Sequence, residues 1–298
     1  NEATAELHLP QMTSSIVGNV AVVDDNEDGY ADLLYFADLG GRIWRIDFKQ
    51  NQTTNAYNYA TGGIIADLGA DNSIANNVRF YNSLDVVYSK AFDKVNSSGG
   101  VNKSVPRYVL SIGSGYRAHP LDDQTNDHFY VVFDYHTNGA PSSYSQINRR
   151  DLAAINLNQG TTQVTASNNS NNGFYLKLID QGQGDGKGEK VLSKASTLNN
   201  VIYFTSFRAP SSAFNDNCEP NIGEGRLYSI NMQQGNAKIA STELNTVGIP
   251  PEPVFFTYAV NGNKYQRKTK VIVQDKVIDA FEPEASELVR SNYWRDMN

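Results

Sequence analysis

Two stretches of the sequence, read side by side, decide the fold. Asp32-Leu33-Leu34-Tyr35-Phe36 leads to Gly41-Arg42-Ile43-Trp44-Arg45-Ile46-Asp47-Phe48, and Asn200-Val201-Ile202-Tyr203-Phe204 leads to Gly225-Arg226-Leu227-Tyr228-Ser229-Ile230-Asn231-Met232. Each is an apolar run ending in Tyr-Phe, then Gly-Arg-aliphatic-aromatic-x-Ile-(Asp/Asn)-apolar. A repeated strand–turn–strand unit whose second strand carries an aromatic is the signature of propeller blades. The two copies lie 184 residues apart (Gly41 to Gly225). At about 40–45 residues per blade, that spacing predicts roughly four blades between them.

The rest of the chain reads in the same way. Short apolar runs bounded by turn signals predict strands over 16–23, 33–37, 42–48, 108–112, 128–135, 174–178, 201–207 and 226–232. Two more, over 254–260 and 265–273, flank Asn261-Gly262-Asn263, and Asn-Gly suits the primed turn of a tight hairpin. The best helical candidate is short, over 150–157. Polar stretches over 49–61, 96–103, 161–172 and 208–223 read as excursions between strands. The composition agrees: 17 Tyr, 13 Phe and 23 Gly against 3 Met favour pleated sheets joined by positive-φ turns. The expected fold is all-β, a propeller of antiparallel strands with long polar loops, spanning residues 1–298 as one domain or part of one.

A net charge of −7 argues against nucleic acid as a partner, because phosphate binding needs a surplus of Lys and Arg on some face. No run of roughly 18 apolar residues is present to span a membrane. The single cysteine, Cys218, fits a reducing compartment and fits equally a chain whose bonding partner lies elsewhere.

One motif carries chemistry. The loop Asp24-Asp25-Asn26-Glu27-Asp28-Gly29-Tyr30-Ala31-Asp32 has the spacing of a calcium loop. Calcium is a hard cation that takes about six to eight oxygens, and an EF-hand-type loop supplies them from positions 1, 3, 5, 7 (by its carbonyl) and 9, with Gly at 6. Counted from Asp24, these are Asp24, Asn26, Asp28, the Tyr30 carbonyl and Asp32, with Gly29 at the turn. Asp25 and Glu27 are expected to point outward. Position 12 is Tyr35, so the bidentate Glu of a true EF-hand is missing, and the flanking elements are strands. The expectation is a calcium loop of the nine-residue type, completed by water or by another loop's oxygens.

Other candidates are weaker. His119, in Gly115-Tyr116-Arg117-Ala118-His119-Pro120, has no second histidine near it and reads as a structural loop residue. No Gly-x-Ser-x-Gly or His-Glu-x-x-His occurs. The Gly-rich run 182–188 lacks the Gly-Lys-Ser/Thr ending of a phosphate loop and reads as a flexible turn. No catalytic residue is assigned.

Several blocks together resemble a known family. Val22 through Tyr35 continuing into Ala37-Asp38-Leu39-Gly40-Gly41-Arg42, then Ile112-Gly113-Ser114-Gly115-Tyr116-Arg117-Ala118-His119-Pro120-Leu121, then Gly188-Glu189-Lys190-Val191-Leu192-Ser193 with Val201-Ile202-Tyr203-Phe204-Thr205, then Gly225-Arg226-Leu227-Tyr228 resemble the C-terminal domain of PilY1/PilC proteins of type IV pili, in that order. The resemblance implies a calcium-binding, quinoprotein-like β-propeller at the end of a large secreted protein, of which this chain would hold the later blades. It implies a non-enzymatic role in pilus biogenesis, control of retraction, twitching motility and adhesion. It also implies a place at the pilus tip or outer membrane of a Gram-negative bacterium. The implied partners are minor pilins or other pilus tip components and host or abiotic surfaces. The calcium ligands carried over from the family are the same Asp24, Asn26, Asp28, Tyr30 and Asp32. The Arg-Gly-Asp tripeptide of some members is absent. Two rival readings remain: a quinone-cofactor dehydrogenase, disfavoured because those enzymes use a vicinal cysteine pair, and a generic calcium-stabilised extracellular scaffold.

Overall fold

The computed structural model describes residues 7–48, 60–69, 77–90, 94–95, 101–102, 105–122, 124–155, 171–178, 188–209, 223–232, 239–244, 248–260, 263–274 and 276–280. Cys218, the excursions 49–59, 96–100, 161–170 and 211–222, the Gly-rich residues 182–187 and the turn pair Asn261-Gly262 lie outside the described residues.

Four sheets follow one another along the chain. The first runs Ala21–Val23, Leu33–Ala37, Arg42–Phe48 and Ala60–Asp67, all antiparallel. The second runs Asp85–Ser89, Arg107–Gly113, His128–Asp134 and Gly173–Lys177. In the third, Ser196–Leu198 and Glu189–Lys190 both pair with Val201–Arg208, which pairs in turn with Glu224–Asn231 and then Ile239–Leu244. The fourth is Val254–Val260, Asn263–Val273 and Lys276–Asp279. A two-stranded ribbon, Lys94–Val95 with Val101–Asn102, stands apart.

Each sheet packs face to face on the next, and strand alternation does the sorting. Along His128–Asp134 every residue is buried. Tyr130 and Val132 join a core with Leu33, Tyr35 and Ile65 of the first sheet. Phe129, Val131 and Phe133, on the opposite face, join Ile202, Phe204 and Tyr228 of the third. The Phe129 and Phe204 rings stack at 3.8 Å. A further core couples Val201, Tyr203 and Leu227 to Val271 and Val273 of the fourth sheet. A strand covered on both faces reads as a near-continuous apolar run, as 129–133 does between His128 and Asp134. The segments leading into the four sheets, 17–19, 81–83, 192–194 and 249–252, line one polar cavity of about 470 Å³, as inner elements of a propeller converge on its axis.

The two echoing segments occupy the same place in their sheets. Tyr35 pairs with Arg45 and Phe36 with Trp44; Tyr203 pairs with Ser229 and Phe204 with Tyr228. The rings at the second position stack in both copies, within 8° of parallel. The expected count of blades is corrected, however. Among the described residues one five-stranded sheet and a two-stranded ribbon stand between the copies, so the 184 residues there span two blade steps, with polar excursions lengthening each unit.

Two local expectations are also corrected. The helix predicted over 150–157 is a 3-10 turn, Arg149–Asp151, followed by a strand, Ala153–Ile155. Asp151 accepts the Asn148 N–H at 2.9 Å, and the strand then pairs in parallel with Gly173–Lys177, so a partner outside the segment overrides its helical pattern. Upstream, Ile147–Asn148 pairs in parallel with Ala60–Asp67. The predicted strand 16–23 is paired only over Ala21–Val23; its first half runs beside the segment that leads into the second sheet, where the Asn19 N–H donates to Ser83 Oγ at 2.8 Å. Strands Ala60–Asp67, Asp85–Ser89, Ile239–Leu244 and Lys276–Asp279 are not among those expected from the sequence.

His128 gives the fold a pH signature. Its ring lies between Tyr130 and Tyr175, and burial, helped by the positive charges of Arg149 and Lys177, pulls its pKa down to about 3. The unfolded value is about 6.5, so between these limits the unfolded chain takes a proton that the folded chain refuses. Stability therefore falls as pH drops below about 6.5, by up to about 1.4 kcal/mol per pH unit from this group. Denaturant titrations from about pH 7 to pH 5 should show a flatter decline for His128→Phe; parallel curves would contradict it.

Candidate metal centre

The loop between Ala21–Val23 and Leu33–Ala37 closes as a hairpin, with Val23 opposite Leu33 and the Asp32 N–H donating to the Val23 carbonyl at 2.9 Å. Within it, side-chain oxygens accept the loop's own amides. Asp24 Oδ1 takes the Asp28 N–H at 3.1 Å and Oδ2 the Gly29 N–H at 2.8 Å. Asn26 Oδ1 takes the Asp28 N–H at 2.9 Å, and Asp28 Oδ1 takes the Tyr30 N–H at 2.9 Å. From the far end, Asp32 Oδ2 reaches back to the amides of Asp25 at 2.7 Å and Asn26 at 3.3 Å. Gly29 sits at φ +90°, a conformation that costs other residues dearly, so the sixth position is Gly for a backbone reason.

The structure thus gathers Asp24, Asn26, Asp28 and Asp32 into one amide-bonded loop, with Asp24 buried and the others partly or wholly exposed. The Tyr30 side chain is 73% exposed, consistent with a role through its backbone alone. Among the described residues, no group of three or more His, Cys, Asp or Glu is placed to hold a metal ion. What the loop offers is its donor chemistry: three carboxylates, one amide oxygen and one carbonyl, all hard. A carboxylate carries about four lone-pair sites, so an oxygen that accepts one N–H still fits as a ligand. Nothing softer than oxygen is present, which suits calcium better than zinc or copper.

Asp25 departs from expectation. Instead of pointing outward, it accepts the hydroxyl proton of Tyr108 at 2.6 Å. Tyr108 lies on the second sheet, is buried, and packs against Tyr35 and Tyr88. Burial, with the Asp25 hydrogen bond and charge, raises the Tyr108 pKa far above its ordinary value, so it stays a donor. An even-numbered loop position thereby ties the loop to the neighbouring sheet. Only the long-range pairing of Arg107–Gly113 with Asp85–Ser89 and His128–Asp134 brings Tyr108 there, and no local sequence signal marks it.

A second tie lies one strand deeper. Arg45, fully buried, directs Nε to Asp47 at 2.9–3.0 Å and Nη1 to Asp134 of the second sheet at 2.7 Å. Nη1 also donates to the His136 carbonyl at 2.7 Å, while the Tyr35 hydroxyl donates to Asp134 at 2.9 Å. The sheet that carries the loop is therefore fixed to its neighbour by a buried ion cluster.

His119 is exposed on its loop, its ring 4.8 Å from that of Tyr116. Gly113 and Gly115, which precede it, lie where Glu189–Lys190 and Val191 pass: a Cβ on Gly113 would stand 2.2 Å from Val191 Cβ. Among the described residues no helix is long and apolar enough to cross a membrane.

No protein-family model matches the chain. A curated relative, the type IV pilus biogenesis factor PilY1 homolog of Xylella fastidiosa strain Temecula1, is 24% identical over 242 residues. That match covers 78% of this chain and 15% of the relative, so the chain spans a small part of that protein's length. In fold, the chain is similar to the crystal structure of the Pseudomonas aeruginosa PilY1 C-terminal domain, with a TM-score of 0.57 at 14% identity over 88% of this chain and 60% of that one. The chain is thus similar in sequence to a PilY1 homolog and in fold to the PilY1 C-terminal domain, an all-β, propeller-like fold.

Proposed function

We propose that this chain, which resembles the PilY1 C-terminal domain, is a calcium-binding, non-enzymatic module of a type IV pilus-associated protein. Its place is the cell surface or pilus tip, its partners are minor pilins or other tip components, and its roles are pilus biogenesis, control of retraction, twitching motility and attachment to surfaces. The observation that carries the calcium reading is the loop 24–32, in which Asp24, Asn26, Asp28 and Asp32 present hard oxygens from a hairpin with Gly29 at its turn. The name of the Xylella relative supports the pilus reading.

Without a cation, the carboxylates of Asp24, Asp28 and Asp32 repel one another within one short loop. An ion with differential affinity for the ordered loop shifts the population towards it. Because Asp25 is held by Tyr108, that ordering reaches the second sheet as well as the hairpin.

Calorimetric titration of calcium into the purified chain should show one site, selective over magnesium, that Asp28→Ala removes. Magnesium is the control because it demands near-octahedral geometry and keeps its waters. Equal heats from the wild-type chain and the variant would sink the assignment.

A further inference from the structure

A concave site lies beside residues 116–122 and 124–125, far in sequence from residues 24–32 and sharing none of them. It is a pocket of about 630 Å³, within the roughly 300–1,000 Å³ common for small ligands. One wall is an aromatic stack. The Arg79 guanidinium lies 4.1 Å from the Tyr116 ring centroid, with the His119 ring 4.8 Å from the same ring. Pro120 and Leu121 supply the apolar lining, and Leu121 is 65% exposed.

Arg79 is the informative residue. Arg79 lines the pocket with its guanidinium over the Tyr116 ring, and stacking leaves the N–H edge as the part free to bond a ligand. Among the described residues, no carboxylate or carbonyl closes on that edge. Asp127 acts on Arg79 electrostatically but is already engaged: its oxygens accept the Ser114 and Thr125 hydroxyls at 2.8 and 2.9 Å, and the buried Lys190 offsets its charge. A half-buried, stacked guanidinium with an open edge matches a carboxylate, which it can grip with two parallel hydrogen bonds. Asp122 in the lining disfavours a dianion such as phosphate. The mostly apolar wall suits a ligand with a carbon body rather than a bare inorganic ion.

We propose that this pocket binds a small organic monoanion, its carboxylate on the edge of Arg79 and its body against Tyr116, Pro120 and Leu121. A peptide terminus, a sugar acid and a simple aromatic acid share that chemistry, and the test separates them.

The full chain is titrated with N-acetyl-leucine, glucuronate and phenylacetate, each followed by NMR. N-acetyl-leucinamide and phenylacetamide serve as neutral isosteres, and inorganic phosphate as the dianion. At least one acid should shift the signals of Gly115, Tyr116 and His119 saturably at about millimolar concentration. Its amide should bind about tenfold more weakly or worse. Arg79→Gln should lose about the same factor, and Arg79→Lys, which keeps the charge but not the planar fork, should also weaken binding. Leu121→Asp, at an exposed position that the fold does not depend on, should weaken the same acid by placing a like charge beside it. The proposal is overturned if no acid shifts these signals, if the amide binds as well as its acid, if phosphate binds more tightly than every acid, or if Leu121→Asp binds like the wild-type chain. None of these outcomes bears on calcium binding at residues 24–32.

Discussion

Arg45→Met is expected to cost about 3–5 kcal/mol of folding stability, the largest loss foreseen for any single side chain here. Removing the guanidinium leaves Asp47 and Asp134, both buried, without their shared counter-charge. A methionine of similar length fills the volume but satisfies neither carboxylate, so the cost is electrostatic rather than steric. Burial by itself would raise the Asp134 pKa. The Arg45 charge, the His136 amide and the hydrogen bonds from Arg45 and Tyr35 outweigh it, and the net shift is downward. A carboxylate depressed in this way contributes stability above its unfolded value of about 3.9 and loses it as pH falls through the lower folded value. Urea titration at neutral pH measures the loss. The double variant Arg45→Met with Asp134→Asn should cost clearly less than the two single losses summed, because the second change removes the stranded charge. Losses below about 1 kcal/mol, or strict additivity, would mean that the cluster does not hold the first two sheets together.

The second expected result concerns the loop. Asp24→Ala should abolish stabilisation by calcium altogether, where the wild-type chain is expected to gain about 2.7 kcal/mol at a calcium concentration a hundredfold above its dissociation constant. Asp24 holds the Asp28 and Gly29 amides and is the only buried carboxylate of the five loop positions, so its loss removes a ligand and the orienting contacts together. Tyr108→Phe separates these effects. It should leave calcium binding in place and reduce how far binding raises the melting temperature, since Asp25 then no longer clasps the second sheet. Melting curves with calcium and with chelator are the measurement; an Asp24→Ala chain that still responds to calcium would refute the ligand assignment.

Much of this was legible in the sequence for identifiable reasons. Tyr35-Phe36 and Tyr203-Phe204 sit at strand positions covered on both faces, so their apolar runs announce themselves. The loop 24–32 is local, with every proposed ligand and the turn glycine inside nine residues. The hidden parts are those made by distant partners. Arg45 reads as an ordinary exposed residue of an alternating strand, yet it is fully buried because Asp134 arrives from 89 positions away. Glu189 and Lys190 look like a solvated pair. Both are buried, since the Ser206 and Tyr228 hydroxyls donate to Glu189 and Lys190 donates to the carbonyls of Asp122 and Gly188. Asp85–Ser89, with a charged first residue and only three apolar ones, shows too short a pattern to stand out, and Asp85 is buried by accepting the Thr197 hydroxyl. The Arg79–Tyr116 stack is likewise a meeting of two loops that no spacing rule connects.

The short segment from Ile147 to Ile155 lends its first strand to the outer edge of the first sheet and its second to that of the second. For folding, this makes order matter. Ala60–Asp67 waits 80 residues for its last neighbour, Ile147–Asn148, and that neighbour is continuous with an edge the second sheet also needs. The two sheets are therefore not beads that form independently and add their stabilities, as in a solenoid of repeats. They form one cooperative unit with a high share of distant contacts, slow to assemble for the same reason that it is hard to open piecemeal.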